Sequence, residues 1–171
     1  MPWPEPVERV AVFFRESGAE ARLEELPTAT PSAQAAADAI GCALEQIVKS
    51  LVFMCGAQPV LALLPGDRRA DPAKIALAAE AKDARVARPA EVIAVTGFAP
   101  GGVSPVPPPP DTLVLVERTI ISSTVVWVGG GSERHMAMLS PHELVRLTGG
   151  SLVDVAQESA YFADTPSTEE H

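Results

Sequence analysis

The chain has 171 residues, 47% hydrophobic and 20% charged, enough to bury one core and too apolar to be a disordered segment. Thirteen Lys and Arg against 22 Asp and Glu leave a formal charge of −9, which argues against extended duplex DNA held through a broad phosphate footprint. No apolar run reaches the roughly 18 residues of a membrane span. The start, Met1-Pro2-Trp3-Pro4-Glu5-Pro6, has neither the basic nor the apolar stretch of a signal peptide, so a soluble cytoplasmic domain is expected.

In chain order, Val7 to Ser17 sets Val7, Val10, Ala11 and Phe14 opposite Arg9, Arg15 and Glu16, which predicts an amphipathic helix closed by Gly18. Thr30-Pro31 predicts a second helix, with Thr30 as N-cap and Pro31 at the first helical position, running through alanines to Ile40. Ile47 to Met54, the turn Gly56-Ala57-Gln58, and Pro59 to Leu64 read as a buried hairpin. Asp71-Pro72 opens a third helix through Ala81, and Pro89 to Val95 forms a fourth, closed by Gly97.

Six prolines from Pro100 to Pro110 exclude a helix or central strand there and leave an ordered loop. Strands follow at Thr112 to Val116 and Thr124 to Val128, and Gly129-Gly130-Gly131 reads as the turn into a third, His135 to Leu139. Ser140-Pro141-His142-Glu143 has the form of a capping box and starts a last helix that ends near Leu147, before Gly149-Gly150. Helices and hairpins intermix without regular βαβ alternation, so the fold class is α+β with a mixed, largely antiparallel sheet. Residues 1–158 form one domain, and 159–171 read as an acidic, flexible tail.

The familiar catalytic signatures are absent: no GxSxG elbow, Walker loop, HExxH, or GxGxxG after a strand. No carboxylate cluster has metal-ligand spacing, so neither a metal nor an organic cofactor is expected. Cys42 and Cys55 fit neither a zinc site nor a redox pair and read as small buried hydrophobes. Charge is uneven, with six Lys and Arg against four acids from Asp67 to Arg88. A short contact with one end of an RNA is therefore compatible with the acidic whole.

Three features remain. Lys49 stands alone in an apolar strand, as an edge lysine whose stem snorkels to water or as a desolvated cation for a phosphate or carbonyl. Gly101-Gly102, inside Thr96-Gly97-Phe98-Ala99-Pro100-Gly101-Gly102-Val103-Ser104-Pro105, lets backbone approach a ligand. Gly129-Gly130-Gly131-Ser132 joins two strands, as a plain turn or as a site rim.

Gln46-Ile47-Val48-Lys49-Ser50-Leu51-Val52-Phe53, Leu63-Leu64-Pro65-Gly66-Asp67-Arg68, the Gly101-Gly102-Val103-Ser104-Pro105 loop, the glycine run and Ser140-Pro141-His142-Glu143-Leu144 occur in that order. Together they resemble the YbaK-type aminoacyl-tRNA deacylases, which are similar to the editing domain of bacterial prolyl-tRNA synthetases. The resemblance spans roughly Ala29 to Val155. It implies a mixed, barrel-like sheet surrounded by helices, and hydrolysis in trans of the ester on a mischarged tRNA 3′ end. Prolyl-tRNA synthetase becomes a candidate partner, and Ala, Cys or Ser on proline tRNA the candidate substrates.

The resemblance also assigns residues. Lys49 matches the family's hallmark site lysine, and Gly101 and Gly102 match its site-lining loop, giving three catalytic candidates. Ser50, Gly129, Gly130, Gly131, Ser132 and His135 become substrate-binding candidates, His135 because some members carry a pocket histidine nearby. Leu44, Ile47, Met136 and Met138 are candidate pocket-lining residues. Two other readings stay open: a binding module that keeps the fold without turnover, and a hydrolase for another small ester or thioester.

Overall fold

The computed structural model describes residues 3–158; the tail expected at 159–171 lies outside them. Helix α1 (Glu5–Ser17) buries Val7, Val10, Ala11 and Phe14, carries Glu5 and Glu8 in its first turn and ends on left-handed Gly18. Strand β1 (Ala21–Glu25) and helix α2 (Ala33–Ile40) follow. The central hairpin is β2 (Val48–Cys55) and β3 (Gln58–Pro65), paired from Val48 with Pro65 to Cys55 with Gln58. Next come α3 (Pro72–Ala78), β4 (Arg85–Val86), α4 (Pro89–Thr96) and β5 (Leu113–Glu117). The chain continues through β6 (Val126–Ser132), β7 (His135–Leu139), α5 (Pro141–Thr148) and β8 (Ser151–Val153).

The strands form two sheets, one of order β1-β7-β6 and one of order β4-β2-β3-β5-β8. Only β3–β5 and β5–β8 pair in parallel; the other four pairings are antiparallel. The expected α+β class with a mixed, largely antiparallel sheet is what the chain forms. The two sheets meet through a parallel bridge between Ile47 and Trp127 and stay distinct, without closing into one barrel.

Alternation along β2 divides its side chains between two cores. Val48 and Val52 join the main core with Val10, Phe14, Leu61, Leu63, Phe98 and Val128. Phe53 and Cys55 join a second core, with Leu64, Ile75 and Leu115, on the opposite face. A third core packs α2 against Ile47, Trp127 and Met136. Ile47 and Met136 are buried in this third core, and Leu44 and Met138 pack against it.

Several boundaries differ from expectation for identifiable reasons. Helix α2 starts at Ala33 with Ser32 as N-cap, its Oγ accepting from the Ala35 N–H at 3.1 Å. Thr30 is committed elsewhere, its N–H and hydroxyl both donating to the Glu133 carbonyl. Helix α3 stops at Ala78, short of Ala81, and Glu80 turns left-handed at φ 57°. Strand β1 was not expected because Arg22-Leu23-Glu24-Glu25 has the charge of a surface edge.

Gly129-Gly130-Gly131 is not a turn. These glycines continue β6, and the two-residue turn is Glu133-Arg134. Gly129 pairs with Met136 and Ser132 with His135, so β6 advances three residues while β7 advances one. Gly130 and Gly131 are thus a bulge, with Gly131 at φ 110°.

Candidate active site

The bulge gathers much of what the sequence singled out. Re-aiming β6 brings the Ser132 Oγ to 2.6 Å from Nδ1 of buried His135. The same Oγ accepts from the Arg134 N–H at 3.0 Å, which ties the two-residue turn to the pair. Trp3 packs edge-on against the imidazole, with centroids 5.4 Å apart. Burial pushes the His135 pKa below its ordinary value; Glu25 opposes that shift and Arg134 adds to it.

Gly101 and Gly102 sit in a single 3-10 turn, Pro100–Gly102, that lies on this bulge. A Cβ on Gly102 would come within 2.9 Å of the Gly131 carbonyl, and one on Gly101 would meet the Glu133 carboxylate. Fixed backbone therefore demands glycine at Gly102, whereas at Gly101 the neighbour is a flexible side chain. Gly102 uses its N–H internally, donating to the Ala99 carbonyl at 2.8 Å. On the far side, Arg9 donates to the Gly97 carbonyl at 2.7 Å and stacks 4.4 Å above the Phe98 ring, fastening the loop to α1.

Ser50 joins this group from β2. With Leu51, Val52, Val86, Ala87, Val92, Pro100 and Val103, it lines an apolar pocket of about 160 Å³ between β2, α4 and the glycine loop. Its Oγ is buried and, among the described residues, has no hydrogen-bond partner.

Lys49 is placed differently. It points to the opposite face of β2 from Ser50, on the side of its cross-strand partner Leu64. Half-buried, it donates from Nζ to the Arg68 carbonyl at 2.6 Å. Burial lowers its pKa, with Asp67 opposing that shift and Arg69 adding to it. Beside it, Arg68, Asp67, Glu45, Thr119, Ser122 and Ser123 line a polar cleft of about 210 Å³. The structure thus unites Gly101, Gly102, Gly131, Ser132 and His135, brings Ser50 to the loop, and holds Lys49 across the sheet.

Residues 27–147 match the model of the aminoacyl-tRNA editing domain. The chain belongs to the aminoacyl-tRNA editing domain family. YwhH of Bacillus subtilis, a protein without a characterised activity, is 30% identical over 151 residues, covering 87% of this chain and 96% of its own. EbsC of Enterococcus faecalis, a candidate Cys-tRNA(Pro)/Cys-tRNA(Cys) deacylase, is 26% identical over 72% of this chain and 76% of its own. Among solved structures, a candidate trans-editing enzyme for prolyl-tRNA synthetase superposes with TM-score 0.85 at 33% identity, over 92% of this chain and 100% of that one.

Residues outside the quoted motifs also pack around this editing domain's candidate site. Trp3 packs on His135, Arg9 holds the Gly97 carbonyl and the Glu133 carboxylate lies over Gly101. Arg68 carried a signal, since it closes the Leu-Pro-Gly-Asp-Arg motif one turn beyond β3. Among the described residues its buried Nε has no partner, while its Nη2 donates to the Gln157 carbonyl at 3.0 Å. Cys55 packs in the second core and Cys42 lies half-buried against the third, as small hydrophobes do.

Proposed function

We propose that the chain is an aminoacyl-tRNA deacylase acting in trans on a small amino acid, such as Ala, Cys or Ser, attached to proline tRNA. The observation that carries this is the small Ser50 pocket beside the glycine turn, which itself lies against the Ser132 backbone, in a chain of the editing family. The names of EbsC and of the trans-editing structure point the same way.

The chemistry asks little of the protein. An aminoacyl ester is already activated, and the neighbouring ribose hydroxyl of the tRNA can orient or activate water. What remains is to position the ester and stabilise the oxyanion. Because the Gly102 N–H is spent within its own turn, that stabilisation falls to the exposed Gly101 backbone and to the His135 ring. The pocket would take the amino-acid side chain, with the Ser50 hydroxyl as its one polar contact. Lys49 keeps two ammonium protons beyond the bond to Arg68, and its place across the sheet supports a hold on the terminal phosphate more than on the carbonyl.

Size alone discriminates weakly, since one methylene is worth only about 1–3 kcal/mol, so sparing correctly charged Pro requires a pocket that excludes the ring. Incubating the purified chain with proline tRNA charged with Ala, Cys, Ser or Pro tests the reading. Release of one small amino acid with Pro retained is the expected result. No release from any of them, with the chain still binding the tRNA, would favour the non-catalytic binding module.

A further inference from the structure

The Ser132 hydroxyl has one proton and two lone pairs. One lone pair accepts from the Arg134 N–H at 3.0 Å, and the imidazole Nδ1 lies 2.6 Å away. Among the described residues, no other acceptor for that proton stands within hydrogen-bond distance. Donation to Nδ1 is thus the arrangement that gives the hydroxyl proton a protein acceptor, and it leaves the ring proton of a neutral imidazole on Nε2. The charged groups around the ring are compatible with this. Glu25 faces His135 across the β1–β7 pairing, Arg134 is 3.5 Å from Glu25, and the Glu133 carboxylate turns away over Gly101. Trp3 supplies an apolar wall on the remaining side.

We propose that Ser132 is a positioning residue that locks His135 as the Nε2–H tautomer, so that His135 meets the substrate as a hydrogen-bond donor and not as the base that activates water. The lock is a property of the bulge: without Gly130 and Gly131 inserted in β6, Ser132 would not stand over the ring. The donor role rests on the deacylase reading, whereas the tautomer does not. A donor aimed at the ester carbonyl complements the substrate-assisted chemistry, in which the tRNA's own ribose hydroxyl serves the water.

Long-range proton–nitrogen NMR of the ¹⁵N-labelled chain at pH 7.5 reads the tautomer directly. Wild type should show an unprotonated Nδ1 and a protonated Nε2 for His135. S132A should average the two nitrogens, and S132T, which restores a hydroxyl, should return the wild-type pattern. In deacylation, kcat should fall about tenfold in S132A with KM unchanged, and recover in S132T. A protonated Nδ1 in wild type overturns the proposal even if S132A fails to fold, and so does a tautomer unchanged in folded S132A. The expected tautomer in a chain that cleaves no charged tRNA would uphold the lock and contradict the deacylase reading.

Discussion

Ser50 shows how function and stability part company at a single atom. A buried hydroxyl without a partner costs roughly 1–3 kcal/mol, and among the described residues the Ser50 Oγ has none. Such a group is expected where a ligand completes its hydrogen bond. Ser50→Ala should therefore leave the melting temperature unchanged or raise it, while KM for charged tRNA rises several-fold. A destabilised S50A with unaltered KM would make Ser50 structural. Glu117 is the contrasting case. It is 1% exposed, yet its carboxylate accepts from the Thr119 and Val155 N–H groups, which explains its burial without a ligand.

At the scale of elements, the glycine-rich end of β6 is the decisive piece. The sequence shows three adjacent glycines between two strands, and a turn is the natural reading because turns are where glycine is commonest. What cannot be read from one strand is how closely its neighbours approach. Gly129 faces the Val103 carbonyl, Gly130 the backbone of His135, and Gly131 the Pro6 carbonyl at the start of α1. Tertiary contacts, not local chain reversal, demand the glycines. A methyl at Gly129 would have to push the 100–104 loop off the sheet. Gly129→Ala should cost about 1–3 kcal/mol in denaturant unfolding and enlarge the Ser50 pocket, with activity falling further than stability. A fully stable and active G129A would mean the loop is free to move and does not shape the site.

Elsewhere the elements were legible where a local rule decides them. The amphipathic stripe of α1, the Gly56-Ala57 hairpin and the Ser140 cap, whose Oγ accepts from the Glu143 N–H at 3.1 Å, follow from short-range spacing. Strands β1, β4 and β8 were not legible, because each takes its pairing from a partner distant in sequence. The site divides in the same way. Its residue types were readable from the motifs, but the split of Lys49 and Ser50 between two faces of β2 depends on pairing register.

For the molecule as a whole, the charge of −9 limits how tRNA can be held. With Lys49 and Arg68 as the cations beside the polar cleft, the chain can neutralise about two phosphates, for which the slope of log K against log salt is about −2. A titration from low to physiological salt should give that shallow slope. A slope steeper than about −5 would reveal a broad basic footprint that the sequence charge does not suggest.

The most direct test of the account compares wild type and Lys49→Ala in single-turnover hydrolysis of the mischarged proline tRNA that wild type cleaves best. The side chain is half-buried and, among the described residues, hydrogen-bonds only to the Arg68 carbonyl, so the variant should keep the wild-type fold by circular dichroism. The account predicts a single-turnover rate at subsaturating tRNA lower by about 10–100-fold, the loss expected when a charge-assisted contact to the terminal phosphate is removed. A folded K49A that hydrolyses the ester at the wild-type rate would contradict it.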